Sequence, residues 1–156
     1  MPASKRPRKA YRPAVARTSA NHNQAFRFNA GADLYLQMAP HQALEALHTG
    51  AASSDDHNTL AIRVFWAAQI ARDHFESDEH IAVLDLGVRA VAAISDRYDR
   101  IGRFGATGPE LLALGDALVI ADQMQKLATR RELEASFAKV LAGTKFKLKE
   151  MQKNIL

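Results

Sequence analysis

The chain of 156 residues contains no cysteine, is 47% hydrophobic and carries a formal net charge of +4. This composition excludes disulfides and thiolate chemistry, and it favours one folded domain over a disordered chain. No apolar run reaches the roughly 18 residues of a membrane span, and the basic start lacks the apolar stretch of a secretory signal. We therefore expect a cytoplasmic protein with no membrane partner.

The basic residues are concentrated at the two ends of the chain. Residues 1–32 carry seven arginines and lysines and no acid, so their net charge is +7. Residues 33–144 carry 10 basic and 16 acidic side chains, so their net charge is −6. Residues 145–156 carry four lysines and one glutamate, so their net charge is +3. We predict a flexible basic arm over 1–24, a helical domain over 25–144 and a basic tail from residue 145 onward.

The predicted arm has the composition of a nucleic-acid-binding segment. Three prolines interrupt it, and its few apolar residues cannot offset the entropy of ordering. Its cations can neutralise phosphates without reading sequence, and its tyrosine can stack on a base. A solvated tail, or an arm that folds against the acidic body of its own or a neighbouring subunit, fits the charge equally well. The residues predicted to contact nucleic acid are Lys5, Arg6, Arg8, Lys9, Tyr11, Arg12 and Arg17.

The first structured segment is ambiguous. Apolar and polar residues alternate over residues 34–38, which predicts either a short extended segment or a short helix from Asp33. Pro40 is then expected to begin a short helix that runs to Leu47 and closes at Gly50.

A dense cap cluster at Ser53 begins the next helix. We expect Arg63, Arg72 and Asp73 to lie off its buried face, and Trp66 to lie beside that face in the core or an interface. The predicted inward residues are Leu60, Val64, Phe65, Ala68, Ala71 and Phe75.

Three more helix starts follow along the chain. Ser77 caps a helix that ends at Gly102, with an inward stripe of Ile81, Leu84, Val88, Val91, Ile94 and Tyr98. Thr107 and Glu110 form a capping box, followed by inward residues that include Leu114, Leu118 and Ala121. Thr129 repeats this signal, which indicates a break, although one long helix stays an alternative. The last helix is expected to stop at Gly143, with Leu133, Phe137, Val140 and Leu141 inward.

These elements predict an all-α protein: a single bundle of four to five helices. Some apolar residues lie on helix faces that are not needed to fill a single core. We predict that these residues form an interface, either in a homo-oligomer or with a host complex. They are Trp66, Leu112, Val119 and Leu127.

No pattern predicts catalysis, a cofactor or a bound metal. Segment 74–80 contains two histidines and three acids, but capping and the helix dipole account for its acids. The glycines of Gly102–Gly108 follow no strand and precede no Gly-Lys-Ser/Thr, so they match neither a P-loop nor a dinucleotide fingerprint. A helix-turn-helix at this loop is disfavoured because the following helix begins with Glu110 and two leucines. The turn near Thr129 is the better candidate, since two arginines start the next helix, but Glu132 and Glu134 oppose their charge. We expect a non-enzymatic protein.

Three stretches together resemble a family. They are the basic Lys-Arg-Pro-Arg-Lys-Ala-Tyr-Arg-Pro start, the Ala43–Gly50 segment with the capped Asp55-to-Leu60 helix, and the Gly105–Leu114 start with its Gln125-to-Ala135 continuation. They resemble uncharacterised short helical proteins of proteobacterial phages, prophages and plasmids. The resemblance implies an accessory protein of a mobile element that acts by binding.

Overall fold

The computed structural model describes residues 30–75 and 77–153 and, among them, the side chains of residues 34, 37–75 and 77–143. The described residues form five helices and no strand, which confirms the predicted all-α bundle. The helices are α1 (Ala30–Thr49), α2 (Ser54–His74), α3 (Asp78–Ile101), α4 (Gly108–Leu127) and α5 (Arg130–Lys153). The predicted arm over residues 1–24 lies outside the described residues.

The helix starts predicted at Ser53, Ser77 and Thr107 are confirmed. The Ser53 hydroxyl accepts from the Asp56 N–H, while the Asp56 carboxylate accepts from the Ser53 N–H at 2.8 Å. Thr107 and Glu110 form the same reciprocal pair at the start of α4, and the Ser77 hydroxyl caps α3. Each box satisfies N–H groups that a helix start otherwise leaves without partners.

Helix α4 ends at Leu127 and α5 begins at Arg130, so the segment forms two helices rather than one long helix. The break predicted at Thr129 is confirmed. Ala128 adopts an extended conformation with ψ of 143°. The Glu132 carboxylate then accepts from the Thr129 N–H at 2.7 Å and from the Thr129 hydroxyl at 2.9 Å. The capping box therefore starts a separate helix, α5.

The start of α1 confirms one of the two predicted alternatives and corrects the position of Pro40. Residues 34–38 are helical, as the alternative of a helix from Asp33 predicted, but Pro40 lies inside α1 instead of beginning a helix. An interior proline loses one backbone hydrogen bond, and in α1 the Pro40 side chain is buried and lines a cleft with residues of α2. The helix ends as predicted before Gly50, whose φ of 74° suits a residue without a Cβ.

The end of α5 is a second correction. The helix continues through Gly143 to Lys153, across the boundary predicted at residue 145. Gly143 does not take the positive φ that ends a helix. Leu141, expected to face inward, is 43% exposed. Within the described part of the chain, α5 packs chiefly on α2.

The core lies around α2, which packs against all four other helices. The largest fully buried side chains of this core include Leu60, Leu84, Ile94, Leu114 and Leu118. Helices α3 and α4 approach closely at Gly87, where an added Cβ would lie 2.6 Å from the Cβ of Ala117. A smaller cluster of Ile70, Met124, Ala128 and Leu133 joins α5 to this core.

The predicted buried face of α2 is confirmed in part. Leu60, Val64, Ala68 and Ala71 are buried, whereas Phe65 is 37% exposed. Arg63, expected to lie off this face, is the larger error, because only 7% of it is exposed. A buried arginine requires a partner, and its partner comes from α4.

The predicted stripe of α3 is buried except at its end. Leu84, Val91 and Ile94 are buried, and Ile81 and Val88 are partly buried, whereas Tyr98 is 39% exposed. Tyr98 stacks on Phe104 in the following loop, with ring centroids 4.1 Å apart. It therefore covers the end of the core without entering it.

Candidate binding surfaces

The residues predicted to contact nucleic acid lie outside the described part of the chain. They are Lys5, Arg6, Arg8, Lys9, Tyr11, Arg12 and Arg17. Their role stays a prediction that rests on charge.

Three of the four predicted interface residues form an exposed apolar row on α4. Leu112 is 68% exposed, Val119 53% and Leu127 66%. Their spacing of seven and eight residues places them on one side of the helix, over a length of about 22 Å. We call these three residues the outer row. Exposed Asp116 and Gln123 lie between them, so the row is apolar with polar interruptions.

Trp66, the fourth predicted interface residue, packs within the chain. Its indole N–H donates to the Leu133 carbonyl at 3.1 Å, and its ring meets Phe137 edge-on at 5.3 Å. Nearby, Lys139 Nζ lies 2.8 Å from both carboxylate oxygens of Asp73 and lowers the pKa of that carboxyl. Trp66 and Asp73 thus fix α5 on α2.

A polar cluster joins α1, α2 and α4 through one carboxylate. The Arg63 guanidinium donates from Nη2 to Oδ1 of Asp122 at 2.6 Å, and His41 Nε2 lies 3.0 Å from Oδ2. The Arg63 side chain is 8% exposed, compared with 22% for Asp122 and 41% for His41. Asp122 therefore provides the countercharge that lets Arg63 be buried.

A cleft of about 280 Å³ lies beside this cluster. Arg63 and Gln125 contribute to its lining, and each has a buried atom without a hydrogen-bond partner, namely Arg63 Nε and Gln125 Oε1. The complete lining is Ala39, Pro40, Thr59, Ile62, Arg63, Trp66 and Gln125. Sequence analysis missed the cleft, although Asp122 and Gln125 continue the inward spacing of Leu118.

The glycine-containing loop before α4 is held by structural contacts. Arg97 donates to both carboxylate oxygens of Glu110, at 2.8 and 3.0 Å, and to the Gly105 carbonyl at 2.6 Å. The Arg97 guanidinium lowers the pKa of the Glu110 carboxyl, and the bonds from Thr107 lower it further. Phe104 stacks on buried His57 with ring centroids 4.9 Å apart. These contacts give the loop a structural role.

The histidines near the α2–α3 turn do not form a metal centre within the described residues. His74 Nδ1 lies 3.9 Å from a Glu132 oxygen on α5. No set of three histidine or carboxylate side chains in metal-binding proximity occurs in the part of the chain that the structure describes. Over the same part, no helix is both long and apolar enough to span a membrane.

No family model, no curated protein and no solved structure matches this chain.

Proposed function

We propose that this chain is a non-enzymatic binding or regulatory protein of a mobile element, whose basic ends contact nucleic acid or an acidic partner. The observation that carries the proposal is the separation of charge along the chain. Residues 1–32 contain no acid, whereas residues 33–144 contain 16 acids against 10 basic residues. Phosphate contacts without sequence preference require only clustered cations, and DNA and RNA both offer such phosphates.

Half of the ten basic residues of the helical body, residues 33–144, are already paired with acids. Five of its basic residues form ion pairs with acids of the body, and several of these pairs join different helices. They are Arg63, Arg72, Arg97, Arg130 and Lys139. The body repels phosphate overall, so attraction to nucleic acid has to come from the ends.

The test uses full-length variants that change charge at one end at a time. In the arm variant, glutamine replaces Lys5, Arg6, Arg8, Lys9, Arg12 and Arg17. In the tail variant, glutamine replaces Lys145, Lys147 and Lys149. Fluorescence anisotropy with a labelled duplex and a labelled RNA of the same length measures binding, and far-UV circular dichroism checks that helix content is unchanged.

We expect the arm variant to lose most of its affinity for both nucleic acids and the tail variant to lose less, because fewer cations are removed. An acidic polypeptide such as polyglutamate serves as the second ligand. Binding of polyglutamate alone would identify an acidic protein as the partner. Equal binding of nucleic acid by wild type and both variants would contradict the proposal.

A second candidate function rests on the outer row. Three large apolar side chains that are each more than half exposed on one helix face are typical of a helix-mediated interface. In this alternative the protein is a homo-oligomer, or an inhibitor of a host complex, with no role in nucleic-acid binding. Multi-angle light scattering over a range of protein concentrations distinguishes self-association from a monomer.

A further inference from the structure

The outer row on α4 is nearly symmetrical about its centre. Leu112 lies seven residues before Val119, and Leu127 lies eight residues after it. The two exposed polar residues between them are placed in the same way, with Asp116 three residues before Val119 and Gln123 four residues after it. This face of α4 therefore presents almost the same order of side chains from either end.

A fourth apolar side chain widens this face on the side of α3. Leu86 is 51% exposed. It lies three turns before Arg97 on the same side of α3, and Arg97 binds Glu110 of α4, so Leu86 lies at the edge of α3 that borders α4. The neighbouring Gly87 approaches Ala117 in the middle of α4. Leu86 is therefore level with the centre of the outer row.

Asp116 and Gln123 determine how two such faces can pair. Neither side chain has a hydrogen-bond or ion-pair partner among the described residues. If two α4 helices paired in parallel, Asp116 would meet its own copy, and like charges across an interface repel. In an antiparallel pair, Asp116 lies beside Gln123 of the second copy, whose amide N–H can donate to the carboxylate. The antiparallel arrangement also opposes the two helix dipoles.

We propose that a second copy of this chain covers the outer row, with the two α4 helices antiparallel about a two-fold axis near Val119. Leu112 of each copy packs on Leu127 of the other, and Val119 packs on Val119 of the second copy. An interface of this kind uses the same patch on both copies and closes at two, so it forms a dimer rather than a filament. The inference rests on the second candidate function and does not depend on nucleic-acid binding by the basic ends.

The absence of cysteine from the chain allows introduced thiols to measure this geometry. A disulfide requires Cα atoms roughly 4.4–6.8 Å apart. In the proposed dimer the two copies of residue 119 face each other, whereas the two copies of residue 112 lie about 22 Å apart along the helix axis. With diamide as the oxidant, we expect full-length Val119→Cys to form a disulfide-linked dimer alone. Leu112→Cys and Leu127→Cys should form one only when the two variants are mixed before oxidation.

Ala92→Cys serves as the matched control, because it places a thiol at an exposed position on another side of α3 from Leu86. Its dimer yield on a non-reducing gel measures random collision, and the yield of Val119→Cys should clearly exceed it. Circular dichroism checks that the variants keep their helix content. Light scattering of the reduced wild type should give twice the mass of one chain.

Two results would overturn the proposal, and they differ in what they imply for the second candidate function. A wild type that stays a monomer in light scattering would exclude self-association and leave another protein as the partner of the outer row. An oligomer in which Leu112→Cys cross-links alone, or in which Val119→Cys stays at the yield of Ala92→Cys, would exclude the antiparallel pairing but retain self-association. Because no nucleic acid is present, neither result bears on the role of the basic ends.

Discussion

Removing the Asp122 carboxylate should destabilise the protein far more than removing a carboxylate at the surface. In Asp122→Ala the buried Arg63 guanidinium, 8% exposed, loses its only ion-pair partner in the described structure. Breaking a buried pair in this way costs about 3–5 kcal/mol of the free energy of unfolding. Because Asp122 is itself 22% exposed, water can replace part of its role, and we expect the lower end, about 3 kcal/mol. For a chain of this size that loss lowers Tm by roughly 6–12 °C.

The matched control is Asp85→Ala, which removes the partner of Arg72, a guanidinium that is 46% exposed. A surface pair of this kind contributes at most about 1 kcal/mol. Urea unfolding followed by circular dichroism measures both variants. The double variant Arg63→Met/Asp122→Ala should recover most of the lost free energy, because the uncompensated charge is gone. A difference below about 1 kcal/mol between the two single variants would refute the assignment of Asp122 as the countercharge of a buried arginine.

Three further predictions concern packing, pH and association. Gly87→Ala should lower the free energy of unfolding by about 1–3 kcal/mol, because the added Cβ would lie 2.6 Å from the Cβ of Ala117. At Gly115 an added Cβ would have its nearest neighbour at 3.9 Å, so Gly115→Ala should raise the free energy of unfolding by up to about 1 kcal/mol. Urea unfolding measures both variants. The lowered pKa of Glu110 means that its stabilisation is present above the ordinary value of 4.5 and is lost as pH falls through the lower folded value. Glu110→Gln should therefore be less stable than wild type at pH 7, and the difference in the free energy of unfolding should shrink as pH falls below 4.5, as measured by urea unfolding at each pH. If the outer row mediates self-association, Val119→Glu should convert an oligomer to a monomer in light scattering while leaving helix content unchanged, and a persisting oligomer would exclude the row as its interface.

Local signals in the sequence predicted most of the helix boundaries. Caps at Ser53, Ser77 and Thr107 appear as expected because the side chain that caps and the N–H that it satisfies are only three residues apart. The break at Thr129 depends on a contact of the same short range, because the Glu132 carboxylate accepts from the Thr129 N–H three residues earlier. Such contacts depend little on the rest of the fold, so sequence analysis can find them.

The errors arose where contacts between distant residues override local preference. Pro40 lies inside α1 with its side chain buried near the cleft shared with α2, and no residue close to it in the sequence predicts this position. Arg63 was expected at the surface because its partner Asp122 lies 59 residues away. The cleft was missed for the same reason, since it forms only when three helices meet.

The salt dependence of nucleic-acid binding tests the central proposal most directly. Six cations lie among the residues predicted to contact nucleic acid, and each neutralised phosphate releases counterions. For full-length protein on duplex DNA, the account predicts a log–log slope of affinity against salt near −5. The arm variant should give a clearly shallower slope, because the cations that remain at the ends are mainly the lysines of the tail. A wild-type slope near zero, or the same steep slope in the arm variant, would contradict the account.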